Sequence, residues 1–208
     1  MGISDNCFDN DSLFPYAVGS TTSSERTRFY YVDYLVGTGV VACGTSQQAN
    51  IKTSNTDDDT AIVSLIDDAN SQVRWEVEYY SSSYSIERFG HCGFKDASEI
   101  YVISFDNLGF LKISVTDGSV IDFAKMRRSG NTLSNYIVLS DNISIVGSRM
   151  SFMLKYSDRA HMFSIDMTST PAIGCVTRRH YIEPFWYSAV HDDGTFTYGA
   201  IIGERNND

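Results

Sequence analysis

The run Glu99-Ile100-Tyr101-Val102-Ile103-Ser104-Phe105, followed by Gly109-Phe110-Leu111-Lys112-Ile113 and then Asp117-Gly118-Ser119-Val120, decides how this chain folds. Successive residues of an extended strand point to opposite sides. Ile100 and Val102 therefore face one way, and Tyr101, Ile103 and Phe105 the other. Both sides are apolar, whereas a sheet with one wet face alternates apolar with polar. Such a strand needs cover on both faces. Asp117-Gly118 between two strand-like runs predicts a tight hairpin, because glycine reaches positive φ without steric cost. Asn107-Leu108-Gly109 joins the strand ending at Phe105 to the one starting at Phe110.

The pattern recurs at a period of about fifty residues, the range of propeller blades and kelch-like units. Ile62-Val63-Ser64-Leu65-Ile66-Asp67, Phe110-Leu111-Lys112-Ile113-Ser114-Val115 and His161-Met162-Phe163-Ser164-Ile165-Asp166 are set side by side as equivalent runs. Each precedes a polar turn and a second run: Gln72 to Val77, Ser119 to Phe123, and Ala172 to Val176. An aspartate stands ahead of a strand at Asp96, Asp141 and Asp193, while Gly37 and Gly39 precede Val40 in the first unit. Aspartate there caps a turn through its side chain. No window keeps a helical apolar stripe over three turns.

The expected fold is all-β and β-propeller-like, with about four repeats of four short antiparallel strands. The units run approximately 28–83, 84–131, 132–184 and 185–208. The last is either incomplete or closed by the turn-rich segment 1–27, which carries Leu13, Phe14, Tyr16 and Val18. Gln47 to Thr60, with Asp57-Asp58-Asp59, reads as an exposed loop of the first unit.

On the stretch from Glu99 to Val120, the unit resembles the SBBP-type β-propeller repeat and, more loosely, the quinoprotein-type repeat. Those repeats run as strand, glycine turn, leucine-lysine strand, glycine turn, tryptophan strand. Trp75 takes the tryptophan place in the first unit and Phe123 in the second, and the third has no aromatic there. The resemblance covers residues 28–202 and implies the fold. It also implies a surface or secreted setting, in a class many of whose members have no known catalysis.

Twenty-six acidic against sixteen basic residues leave a net charge of −10. A nucleic-acid partner calls for a basic face, so nucleic acid and anionic membrane are disfavoured. Arg127-Arg128 and Arg178-Arg179 read as solvated strand ends. No apolar run reaches the roughly 18 residues of a membrane helix. The start, Met-Gly-Ile-Ser-Asp-Asn, lacks the basic and apolar regions of a secretory signal, which leaves open an uncleaved cytosolic protein, a processed secreted one and a segment of something longer. Cys7, Cys43, Cys92 and Cys175 contain no Cys-x-x-Cys pair; they allow two disulfides in three connectivities, or buried thiols. Asn10 and Asn142 head glycosylation sequons.

No catalytic, metal or cofactor constellation emerges. His91, His161, His180 and His191 show no metal-ligand spacing, and Asp57-Asp58-Asp59 lacks the calcium-loop pattern. His91-Cys92 are strand neighbours that point apart. Val36-Gly37-Thr38-Gly39 has no following helix or lysine to hold a phosphate. Tyr79, Tyr80, Tyr84, Trp186 and Tyr187 are candidate contact aromatics, shared with blade packing. The expected role is a non-catalytic interaction or self-assembly module of a surface or extracellular structure, associating with protein partners or itself through edge strands. A carbohydrate-binding or glycoside-acting propeller, and an accessory subunit of a large intracellular or organellar complex, are the alternatives.

Overall fold

The computed structural model describes residues 27–47, 60–70, 72–79, 89–104, 109–125, 127–128, 131–132, 136–138, 143–156, 159–168, 172–181 and 185–203. Among these there is no helix; the protein is all-β and propeller-like, a series of antiparallel meander sheets stacked face to face. The first sheet has strands β1 (Thr27–Leu35), β2 (Gly39–Ser46), β3 (Thr60–Asp67) and β4 (Val73–Glu78), in that spatial order. The second repeats the order with β5 (Phe89–Phe94), β6 (Glu99–Ser104), β7 (Gly109–Ser114) and β8 (Val120–Lys125). A two-residue ladder, β9 (Arg127–Arg128) with β10 (Asn131–Thr132), follows. In the third sheet β11 (Tyr136–Val138) and β12 (Ser144–Val146) share the edge of β13 (Arg149–Tyr156), and β14 (Arg159–Asp166) and β15 (Ala172–Tyr181) continue it. A hairpin of β16 (Phe185–Asp192) and β17 (Thr197–Gly203) stands last.

The two-sided strand β6 sits as its alternation requires. Ile100 and Val102 enter one core cluster, with Val41, Cys43, Val63 and Leu65 of the first sheet. Tyr101 and Ile103 enter a second, with Ile143, Met150, Phe152, Phe163 and Ile165 of the third sheet. A third, smaller seam joins Met153 and Met162 to Val190 of the hairpin. At the first and last seams an inner strand lies on two inner strands of the sheet before it: β5 on β1 and β2, and β16 on β12 and β13.

Hydrogen bonds fix these seams. Asp33 Oδ2 accepts the Phe94 N–H at 2.8 Å. Trp75 Nε1 donates to the Val115 carbonyl at 2.8 Å, and Tyr79 Oη to the Gly118 carbonyl at 2.6 Å. Gly118 has the expected positive φ, 73°. A Cβ there would also lie 2.9 Å from Trp75 Cε3, so the turn of the second sheet is flush against the tryptophan of the first. The pre-strand aspartates cap turns. Asp96 Oδ1 accepts from Ser98 N and Oγ and from Glu99 N, and Asp193 Oδ1 from Thr195 N and Phe196 N. Those bonds hold the Asp96 carboxyl down at about 2. Asp141 lies outside the described residues.

The register corrects one sequence alignment. Asp67 N bonds Gln72 O, and Ser114 N bonds Ser119 O, which makes Asp67 equivalent to Ser114. Leu65 opposes Trp75, while its equivalent Lys112 opposes Asp122. Phe123 opposes Leu111 and points back to the first sheet. Asp122, not Phe123, therefore holds the tryptophan place of the second unit. A one-residue slip reverses every side chain of a strand.

The last seam is polar as well as apolar. The Asp192 side chain is fully buried and accepts from Arg149 Nε at 2.7 Å, from the Arg149 terminal nitrogen, from Ser151 Oγ, from Thr197 Oγ1 and from Gly194 N. Its own N–H donates to Ser144 Oγ. The Arg149 guanidinium, with these donors, holds the Asp192 carboxyl well below the usual range. Arg149→Ala strands that charge and is expected to cost on the order of 3 kcal/mol near neutrality. The folded carboxylate is favoured above its ordinary pKa of about 4, and the gain is lost as pH falls below it. Urea melts should therefore show a wild-type advantage at pH 7 that shrinks toward pH 3; an unchanging difference would refute the ion pair's role.

Candidate functional site

Among the described residues the stack has two ends. At the first, β1 alternates half-buried and exposed residues throughout. Tyr31, Asp33 and Leu35 turn toward the second sheet. Tyr30, Val32 and Tyr34 turn outward; Val32 is 58% exposed and Tyr34 51%, and Val36 follows them in the open. This leading face is built as the others are. Val32 pairs with Ala42 and Tyr34 with Val40, as Cys92 pairs with Val102 and Phe94 with Ile100. Cys92, Phe94, Ile100 and Val102 are buried where the second sheet docks on the first. Val32 and Tyr34 are their exposed counterparts.

Farther out on this face Ala42, Ile62, Ser64 and Ile66 are buried. Val32, Ala42, Ser64 and Glu76 form one cross-strand row. Ser64 Oγ and Glu76 Oε1 are buried without hydrogen-bond partners, and burial pushes the Glu76 carboxyl up. Tyr34 Oη donates to the Asp68 carboxylate, which also accepts the Gly37 N–H, so the hydroxyl is anchored at the rim.

The trailing face belongs to the hairpin. Val190 and Gly199 form one pair, and Asp192 and Thr197 another; both face the third sheet, and a Cβ on Gly199 would meet the sulfurs of Met162 and Met153. The intervening pair, His191 and Tyr198, faces outward with rings stacked at 6.4 Å. Tyr198 is 53% exposed and Phe196 63%. Tyr198 Oη donates to Asp193. Among the described residues β17 pairs only with β16.

The residues singled out in the sequence fall elsewhere. Tyr79 is buried, with its hydroxyl committed to Gly118. Cys43 and Cys92 are buried free thiols of the first seam, and burial keeps the Cys92 thiol protonated, with its S–H directed at the Tyr31 carbonyl. Cys175 lies in β15, and Trp186 and Tyr187 in β16; their side chains lie outside the described residues, as do Cys7, Asn10, Tyr80, Tyr84 and Asn142. Ser144, the hydroxyl of the second sequon, is engaged by the Asp192 N–H. No group of three or more metal-ligating side chains occurs among the described residues. No helix among them is long and apolar enough to cross a membrane. Sequence reasoning passed over Tyr30, Val32, Tyr34, Phe196 and Tyr198. The available signal was that both alternating sets of β1 are apolar, as in β6.

Two substitution sets test this division. Ile100→Ala, in the first seam, is expected to cost about 3 kcal/mol, and Val32→Ser, on its exposed counterpart strand, less than about 0.5 kcal/mol. Glu76→Gln should raise the thermal midpoint at pH 7 and leave it unchanged at pH 4. A carboxyl raised by burial is unpenalised while protonated and loses stability as pH rises through its folded pKa. Equal losses at Ile100 and Val32, or a pH-independent Glu76→Gln effect, would contradict the assignment.

No known protein family and no curated protein matches the chain. Among solved structures the chain is similar to BamB from Moraxella catarrhalis, at 13% identity and a TM-score of 0.42. The likeness covers 73% of this chain and 38% of that one, so the chain spans well under half the length of the structure it matches.

Proposed function

We infer that the chain is a non-catalytic interaction module whose working surfaces are the two end faces of its blade stack. One observation carries this reading. Val32 and Tyr34 occupy positions whose counterparts in the second sheet, Cys92 and Phe94, are buried against a neighbouring blade. Contiguous exposed apolar patches on folded proteins mark interaction sites. The net charge of −10 and the aspartates at the turns keep the rim polar and the module soluble. Tyrosine and phenylalanine supply contact area at small entropic cost, which suits an interface rather than a pocket. Placement at a cell surface or outside the cell belongs to the same proposal and draws its support from the repeat resemblance and the sequons at Asn10 and Asn142.

Hydroxyl-radical footprinting tests the reading. Tagged chain isolated under native conditions from its source is compared with the recombinant chain alone. Tyr30, Tyr34, Phe196 and Tyr198 are expected to lose labelling in the native material, while Tyr79 stays unlabelled in both. Equal labelling of the four end-face aromatics in the two samples would overturn it.

A further inference from the structure

We propose that the leading face of one copy, centred on Val32 and Tyr34, receives the trailing face of a second copy, centred on His191 and Tyr198. This rests on the interaction reading above and names its partner. The occupant follows from the seams within the chain. The first and last seams each set an inner strand of one sheet on the inner pair of the preceding sheet. In the first, Cys92 and Phe94 of β5 meet the side of β1 and β2 that carries Tyr31, Leu35, Val41 and Cys43. In the last, β16 meets β12 and β13. Among the described residues no sheet stands before the outward side of the inner strand β1. The outward side of β16 and β17 is an inner pair with no sheet after it among the described residues. Among the described residues the two are complementary halves of the contact seen at the first and last seams.

The chemistry of the halves agrees. Val32 and Tyr34 offer an apolar ridge with an anchored hydroxyl. The His191–Tyr198 stack, with Phe196 beside it, offers a flat aromatic floor. The trailing floor is held rigid from behind by the Arg149–Asp192 lock, so little ordering is required on contact. The two faces differ, so the contact is heterologous. Each copy then carries one donor and one acceptor end, and association continues past the dimer unless the rotation closes a ring.

Complementation by two end-blocked variants tests this. Sedimentation velocity on the full chain across the micromolar range is expected to show concentration-dependent species larger than a dimer. Val32→Arg and Tyr198→Arg each place a cation in one half of the contact. Each alone is expected to be monomeric, with affinity lowered at least about tenfold, a change of about 1.4 kcal/mol. Their equimolar mixture should form a one-to-one dimer, since one intact half survives on each partner. Circular dichroism and thermal melts check that both variants fold; Tyr34→Arg and Phe196→Arg replace either one that does not. A mixture that stays monomeric, association by either variant alone, or a wild type monomeric throughout overturns the second-copy assignment. A monomeric wild type whose end faces are still protected in native material leaves the interaction reading standing. Absence of that protection removes both.

Discussion

The four-stranded sheets β1–β4 and β5–β8 carry apolar residues on both faces, and neither can stand alone. A sheet with one wet face is stable against a single partner; a two-sided sheet must be sandwiched. In β6 the two sets separate cleanly, Ile100 and Val102 to one cluster and Tyr101 and Ile103 to the next. Stacking is thus dictated by strand chemistry before any loop is considered. It fixes the serial order of the sheets, since each seam joins neighbours in sequence.

Hydrophobic contact is non-directional and leaves two stacked sheets free to slide. Buried polar groups remove that freedom. Asp33 clamps the Phe94 amide across the first seam, and Trp75 and Tyr79 reach two carbonyls of the following sheet. Asp192 gathers five donors at the last. Unpaired, each of these groups would be costly; paired, each specifies one alignment. Five other described aspartates cap turns: Asp67, Asp96, Asp117, Asp166 and Asp193 each accept backbone N–H groups. Part of the acidic composition is therefore turn chemistry, distributed over the ends of the strands.

The fold class was legible because two-sided strands and Asp-Gly turns are local signals. Residue phase was not, for the same reason. When both alternating sets are apolar, the period of two says strand but not which set faces which neighbour. Phe110 to Val115 was aligned one residue off against Ile62 to Asp67, and only the hydrogen bonds Asp67–Gln72 and Ser114–Ser119 set the phase. The aspartate-before-strand signal carried its phase correctly at Asp96 and Asp193, because a side-chain cap acts on specific amides two and three residues on.

The end faces were illegible for a related reason that bears on function. Like their buried counterparts Cys92 and Phe94, Val32 and Tyr34 are apolar and aromatic. Nothing in the strand marks them as surface, and in the fold they are surface. An ordinary end strand would be blunted by charge on its outward side, as edge-protecting strands are. Here the outward side of β1 presents Val32 and Tyr34 without a charge between them, and the bulge at Tyr30 puts Arg28, opposite Thr45, on the other phase. This face has the composition of a seam and stands where a seam would continue, which is the ground for the docking role proposed for it. The physical rule that stacks one sheet on the next inside the chain does not distinguish a sheet of the same chain from a sheet of another.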